Sequence, residues 1–228
     1  MVFAGIQKLT LLDYPGKVAC ILFTKGCNFR CPFCHNGSLV RTDETQTIAD
    51  TEVLTFLKKR QGVLEGVCIT GGEPLLHSGL KDFIKEVRTL GYGVKLDTNG
   101  SFPHKLRELV EEELVDYVAM DIKNSFAKYP LTCGVETDID NIKESISYLM
   151  SDVADYEFRT TLVKELHTID DMEEIGKAIK GAKRYFLQNF KDSGDVLEEN
   201  MSPFEEKDLE KFKKIATKYI ADTTIRGI

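Results

Sequence analysis

The sequence predicts an α/β fold in a single domain built on a sheet of parallel strands, and three observations carry that reading. Six short β-rich runs alternate with helical patterns nearly to the end of the chain. The runs are almost continuously apolar, as strands covered on both faces are. No Pro-, Gly- or Ser-rich linker interrupts the series, so residues 1–228 read as one domain, with core strands and helices over about 17–190 and a C-terminal helix and tail over about 202–228.

In order, the runs are KVACILFT (17–24), GVCITGGEP (66–74), GVKLDTNG (93–100), YVAMDIK (117–123), YEFRTTLV (156–163) and RYFLQNF (184–190). Between the first two, a helix over about 48–60 is expected to open at Thr47, with Asp50 in capping-box spacing. Leu80, Phe83, Ile84, Val87 and Leu90 share one helical face after the second run. Ile142, Ile146 and Leu149 do so before the fifth, and Met172, Ile175 and Ile179 before the sixth. A last helix is expected at SPFEEKDL, with Ser202 as cap, Pro203 in the first turn and Glu205 completing the box. This alternation fits an open doubly wound sheet or a barrel, and both gather chemistry where strands end.

With 42% hydrophobic and 29% charged residues, the composition is that of an ordinary globular protein, not a disordered one. No window approaches the roughly 18 consecutive apolar residues of a membrane span. The N-terminus lacks the basic start, apolar run and cleavage site of a secretory signal, so the cytoplasm is the expected compartment. A formal net charge of -7 disfavours non-specific attraction to nucleic acid or an anionic membrane, which leaves small molecules or proteins as partners. Cys20 and Cys68 sit in apolar runs and read as buried thiols. Disulfides are not expected in a reducing compartment.

Polar groups collect at the strand ends. Cys27, Cys31 and Cys34 follow the first run, Gly71, Gly72 and Glu73 end the second, and Asp97, Thr98 and Asn99 end the third. Asp121 and Lys123 end the fourth, Arg159 lies in the fifth, and Gln188 and Asn189 lie in the sixth. The cysteines stand as C-x3-C-x2-C in KGCNFRCPFCHN, and three thiolates on a short loop can hold a soft metal ion or an iron–sulfur cluster. A structural zinc closes its tetrahedron with four ligands; His35 adjoins Cys34 too closely to serve easily, and His77, His104 and His167 are scattered. The spacing therefore favours iron–sulfur, with one metal position left open for a small molecule.

The cysteine trio after a first strand, Phe33 just before its last member, and GGEP closing the second strand resemble the radical S-adenosylmethionine (SAM) superfamily. CPFCHN, DYPGKVACILFTKGC, DTNG at 97–100, MDIK at 120–123 and YPLTCGVETDIDNIKESI are further similar to the activating enzymes of glycyl-radical proteins. Over about residues 5–190 the likeness is to those that activate anaerobic ribonucleoside-triphosphate reductase. Cys133 departs from the pattern, standing where relatives often read LTG; it is expected to be a loop or core residue. No second Cys-rich insert follows His35, so one cluster is expected.

The resemblance implies a partial (β/α)6 TIM-type barrel of parallel strands with a C-terminal helix. It also implies a [4Fe-4S] cluster on Cys27, Cys31 and Cys34, with the amino and carboxylate groups of SAM on the fourth iron. Phe33 is then expected against the adenine, Gly71 and Gly72 to admit a close approach, and Glu73 and Asp121 to meet the SAM ammonium. Lys123 is expected at the SAM carboxylate, Arg159 at the ribose or carboxylate, and Gln188 or Asn189 at the adenosine edge. His35 and Asn36 would cap the cysteine loop and seat adenosine. Asp97, Thr98 and Asp121 would also surround a monovalent cation beside SAM.

In this chemistry flavodoxin or ferredoxin reduces the cluster, SAM splits into methionine and a 5′-deoxyadenosyl radical, and the radical takes the α-hydrogen of one glycine in a partner protein. No side-chain acid or base is needed. Segment 124–140 is the expected docking surface. The alternatives are activation of another glycyl-radical enzyme of the pyruvate formate-lyase type, a small-molecule reaction such as deazapurine carboxylate synthesis, and, from another class, a zinc-stabilised binding module.

Overall fold

The computed structural model describes residues 1–41, 46–192 and 194–227. Its strands are β1 (Val2–Thr10), β2 (Ala19–Thr24), β3 (Ile48–Ala49), β4 (Gly66–Gly71), β5 (Gly93–Thr98), β6 (Tyr117–Asp121), β7 (Asp155–Leu162), β8 (Tyr185–Asn189) and β9 (Thr223–Arg226). They form one sheet in the order β3-β1-β2-β4-β5-β6-β7-β8-β9. From β2 to β9 every neighbouring pair is parallel, while β1 and β3 run antiparallel along one edge.

The helices are α1 (Gly37–Arg41), α2 (Asp50–Lys58), α3 (Leu80–Thr89), α4 (Pro103–Glu111), α5 (Tyr129–Cys133), α6 (Ile139–Met150), α7 (Ile169–Ala178) and α8 (Glu206–Ala216), and they lie in the crossovers between parallel strands. The result is the parallel α/β architecture of a partial TIM-type barrel.

All six expected strands are present, as β2 and β4 to β8; β2 ends at Thr24 as expected, and the other five end short of their expected C-terminal bounds. The GEP that follows Gly71 and the NG of DTNG lie outside the sheet, because Gly71 takes a φ of +113° and Gly100 one of +78°, which bend the chain away. The strands not anticipated are the edges. β1 is half-exposed and polar on one side, and β9 has four residues, so neither shows a buried-strand pattern. β9 nonetheless extends the parallel set beyond the expected core, pairing Tyr185 with Thr223 through to Gln188 with Arg226.

Two helix starts differ from expectation. α2 has Ala49 as N-cap and no side-chain cap. The Asp50 carboxylate instead accepts from the Met1 ammonium and from Thr51 N. α8 starts at Glu206 without a side-chain cap. Ser202 N is bonded to Glu165 (2.8 Å) and Phe204 N to Asn189 Oδ1 (3.0 Å), so the chain stays extended past Pro203. A capping box forms elsewhere, between Thr168 and Asp171 at the start of α7.

The two faces of the sheet differ. One, with Val67, Ile69, Val94, Leu96, Val118, Met120, Phe158 and Leu187, is buried with the apolar stripes of the helices. Leu80, Phe83, Ile84, Val87, Ile142, Ile146, Leu149, Met172, Ile175 and Ile179 are all buried there, and Leu90 is half-buried. Fully burying such a side chain contributes roughly 1.5–3 kcal/mol. The other face holds a small apolar cluster of Tyr14, Ala19, Ile21, Cys68 and Tyr117. Beyond it, on the same alternation, stand Lys95, Asp97, Asp121, Glu157, Arg159 and Gln188. Among the described residues no helix is long and apolar enough to cross a membrane.

Candidate active site

The cysteine loop leaves β2 and is pinned to the turn after β4. Gly72 N donates to Thr24 O at 3.0 Å and Glu73 N to Gly26 O at 2.8 Å. A Cβ on Gly72 would lie 1.8 Å from Gly26 O, and one on Gly71 would lie 2.4 Å from Thr24 N. These glycines are thus required by the contact between the two loops, whatever occupies the cavity above them.

Within the loop, Cys34 N donates to Cys31 O (3.0 Å), and Cys27 Sγ accepts from Phe29 N (3.3 Å) and from the Asn99 amide (3.9 Å). Cys27, Cys31 and Cys34 all line one cavity, and the sequence-assigned Phe33, His35, Gly71, Gly72, Asp97, Thr98, Asp121, Lys123, Arg159 and Gln188 line it with them. Asn36 and Asn99 also reach it. The His35 ring stacks on Phe190, with centroids 5.5 Å apart and planes 21° apart, and burial lowers its pKa, which favours the neutral imidazole.

Two assigned residues do not reach the cavity. Glu73, expected at the SAM ammonium, is fully buried and faces the protein. Its carboxylate accepts from Thr98 Oγ1 (2.8 Å), Asn99 N (2.7 Å) and Leu75 N (3.0 Å), tying the GGEP turn to the DTNG turn. Burial pushes its carboxyl up to about 7, against the pull of those donors. Asn189, expected as an alternative at the adenosine edge, instead pairs its amide with the backbone of Phe204 in both directions at 3.0 Å.

The opposite wall is ionic. Arg159 bridges two strands, donating from Nη1 to Asp97 Oδ2 (3.0 Å) and from Nε to Asp121 Oδ1 (2.9 Å). Lys123 Nζ takes the other Asp121 oxygen at 2.9 Å, and Lys95 takes the other Asp97 oxygen. Burial alone would raise both carboxyls, but Arg159 with Lys123 holds Asp121, and Arg159 with Lys95 holds Asp97, below the usual range. Both therefore stay ionised across the neutral range. The alternation that sends Asp121 and Lys123 to one side is seen directly in their contact.

The family model of the radical SAM superfamily matches residues 21–179. The chain belongs to the radical SAM superfamily. Over 238 residues it is 33% identical to "Putative glycyl-radical enzyme activating enzyme MJ1227" of Methanocaldococcus jannaschii, an alignment covering 99% of this chain and 95% of that protein. It is also 32% identical over 108 residues to the 7-carboxy-7-deazaguanine synthase of Hyperthermus butylicus, covering 47% of this chain and 44% of that one. Among solved structures, Streptococcus suis SuiB has a TM-score of 0.72 at 16% identity, covering 91% of this chain and 48% of SuiB, a likeness of fold.

Radical SAM membership implies a [4Fe-4S] cluster and SAM, and the cavity suits them. Its lining brings together three cysteines and a set of paired cations and carboxylates, which match the soft metal and the zwitterionic methionine end of SAM respectively. Burial pushes the Cys27 thiol up to about 12 and also raises Cys34. A hydrogen bond with Cys133, then burial, raises Cys31. Ligation therefore releases protons.

Some contributors to the radical SAM site carry no motif in the sequence. Lys95 is two residues before Asp97 on β5, and strand alternation was the available signal. The segment after β8 reaches back over the cysteine loop, with Glu198 N on Pro32 O at 3.0 Å and Gly37 N on Asp195 O at 2.8 Å. Residues 124–140, expected as a docking surface, largely support the same loop. Arg30 N donates to Cys133 O at 2.7 Å, a Cβ on Gly134 would lie 2.3 Å from Arg30 O, and buried Tyr129 accepts from Lys123 N at 3.1 Å. Leu131, 64% exposed, is the apolar group this segment presents outward.

Proposed function

We propose that this radical SAM enzyme installs a glycyl radical on a partner protein, with anaerobic ribonucleoside-triphosphate reductase as the partner. One observation carries the reading: the three cysteines and the Asp121–Lys123–Arg159 ion set line one cavity. The full-length likeness to a protein named for glycyl-radical activation supports it.

Cys27, Cys31 and Cys34 hold the cluster. Lys123 and Arg159 orient the SAM carboxylate and Asp121 its ammonium, while Phe33 and His35 flank the adenine and Gln188 meets its edge. When bound, the cluster would supply the one electron that splits SAM, itself received from flavodoxin or ferredoxin. The apolar Phe29, Phe33 and Val40 in the wall keep water from the reacting end. A glycine loop of the partner enters from the open rim, with the outward side of residues 124–140 and its Leu131 as part of the contact.

The second reading is a small-molecule radical SAM reaction of the deazaguanine type, favoured by the partial likeness to that synthase. Anaerobically reconstituted enzyme, mixed with reductant, SAM and a candidate anaerobic reductase, separates them. A glycyl-radical doublet in the electron paramagnetic resonance spectrum of the reductase supports activation. SAM cleavage that leaves every candidate reductase diamagnetic and responds only to a deazapurine precursor overturns it.

A further inference from the structure

The resemblance that places SAM in this cavity also places a monovalent cation beside it, on Asp97, Thr98 and Asp121. The residues present do not fit such an ion. Asp97 accepts from Lys95 at one oxygen and from Arg159 at the other (3.0 Å). Asp121 accepts from Arg159 and Lys123, each at 2.9 Å. The Thr98 hydroxyl donates to Glu73 at 2.8 Å and accepts from Gly100 N at 3.2 Å. Each group that would coordinate the ion already serves a partner of this chain.

Charge argues the same way. Hard cations are held by oxygen cages that carry uncompensated negative charge. Here three cationic side chains, Lys95, Arg159 and Lys123, meet two carboxylates, so the set is positive by one charge before any ligand arrives. Glu157, which also acts on Arg159, does not change this, because it is held by Arg226 (3.0 Å) and the Tyr117 hydroxyl (2.8 Å). An added cation would meet repulsion; an added carboxylate would complete the set.

We infer that this site works without a monovalent cation, because the Lys95 ammonium is a built-in counter-ion that neutralises Asp97 and frees Arg159 and Lys123 to receive the SAM carboxylate. The inference rests on SAM occupying the cavity. Lys95 suits the role by position. It is 3% exposed, lies on the same face of β5 as Asp97, and reaches that carboxylate from the side away from the cysteines, where it lines a second cavity with Glu157 and Arg226. It is a positioning residue, acting on SAM through Asp97 and Arg159.

The test is equilibrium SAM binding to anaerobically reconstituted holoenzyme, by calorimetry, in buffers whose only monovalent cation is potassium, sodium or tetramethylammonium. The wild-type dissociation constant should agree within about twofold in all three. Lys95→Met, which removes the charge and keeps the length, should bind SAM about tenfold more weakly in tetramethylammonium and regain affinity in potassium or sodium. Lys95→Arg should remain indifferent to the ion. Wild-type binding that collapses in tetramethylammonium overturns the inference, as does a Lys95→Met protein that binds like wild type in every buffer. If Lys95→Met fails to fold, the wild-type and Lys95→Arg comparisons still decide. Failure of wild type to bind SAM in any buffer overturns instead the reading on which the inference rests.

Discussion

Glu73 Oε2 accepts the backbone N–H of Asn99 at 2.7 Å, which joins the ends of β4 and β5 beneath the cavity. With Thr98 and Leu75 on the other oxygen, the carboxylate is a structural clasp. Glu73→Ala should leave these donors buried and unpaired, at about 1–3 kcal/mol for each that finds no water. The expected result is a lower unfolding midpoint in denaturant and loss of cluster loading in the same variant. A stable Glu73→Ala protein with normal iron content would show the clasp to be dispensable.

The same residue predicts a pH effect. Burial raises its folded pKa from 4.5 to about 7, so the stability linked to the neutral form is complete below about 4.5 and is lost as the pH rises through about 7. Across that window the loss is on the order of 3 kcal/mol. Glu73→Gln cannot ionise and should show a flatter stability profile between pH 5 and pH 8 than wild type. Parallel profiles for the two proteins would remove Glu73 as the cause.

How far the sequence was readable depends on what each residue contacts. The parallel strands were legible because their apolar runs are set by burial on both faces, and the cysteine loop because its spacing is set by ligand geometry. Glu73 was placed on the wrong side of its turn, since GGEP names a carboxylate at the rim but not the Asn99 backbone N–H, 26 residues away, that helps draw it inward. Asn189 was misplaced for a similar reason, its partner being the backbone of Phe204, on a segment read as the first turn of a helix. β9 was missed because four residues at a sheet edge carry too little periodicity, and Lys95 because an ion pair inside a strand has no motif.

Arg159 is the bridge between β5 and β7, and its removal should be felt at acid pH. Asp97 and Asp121 have lowered folded pKa values, so their ion pairs contribute stability present above 3.8 and lost as the pH falls through the lowered folded values. Arg159→Met leaves both carboxylates short of a partner and should cost about 3–5 kcal/mol at neutral pH. The acid-unfolding midpoint, followed by circular dichroism, should move to higher pH. An unchanged midpoint would mean that Lys95 and Lys123 neutralise the pair unaided.

Cys133 offers a direct check on which thiols ligate. It is fully buried, its carbonyl holds Arg30 N of the cysteine loop at 2.7 Å, and it lies outside the set of described residues lining the cavity, so it backs the loop. Cys133→Ala should therefore reconstitute with the same iron content as wild type and the same charge-transfer absorbance per iron. Cys31→Ala, which removes a cavity-facing thiol, should lose both. Because truncating a buried cysteine also leaves a small void worth about 1 kcal/mol, the thermal midpoint of Cys133→Ala should fall slightly while iron content holds. Iron loss equal to that of Cys31→Ala, in a variant that remains folded, would make Cys133 a fourth ligand and close the metal position on which SAM binding depends.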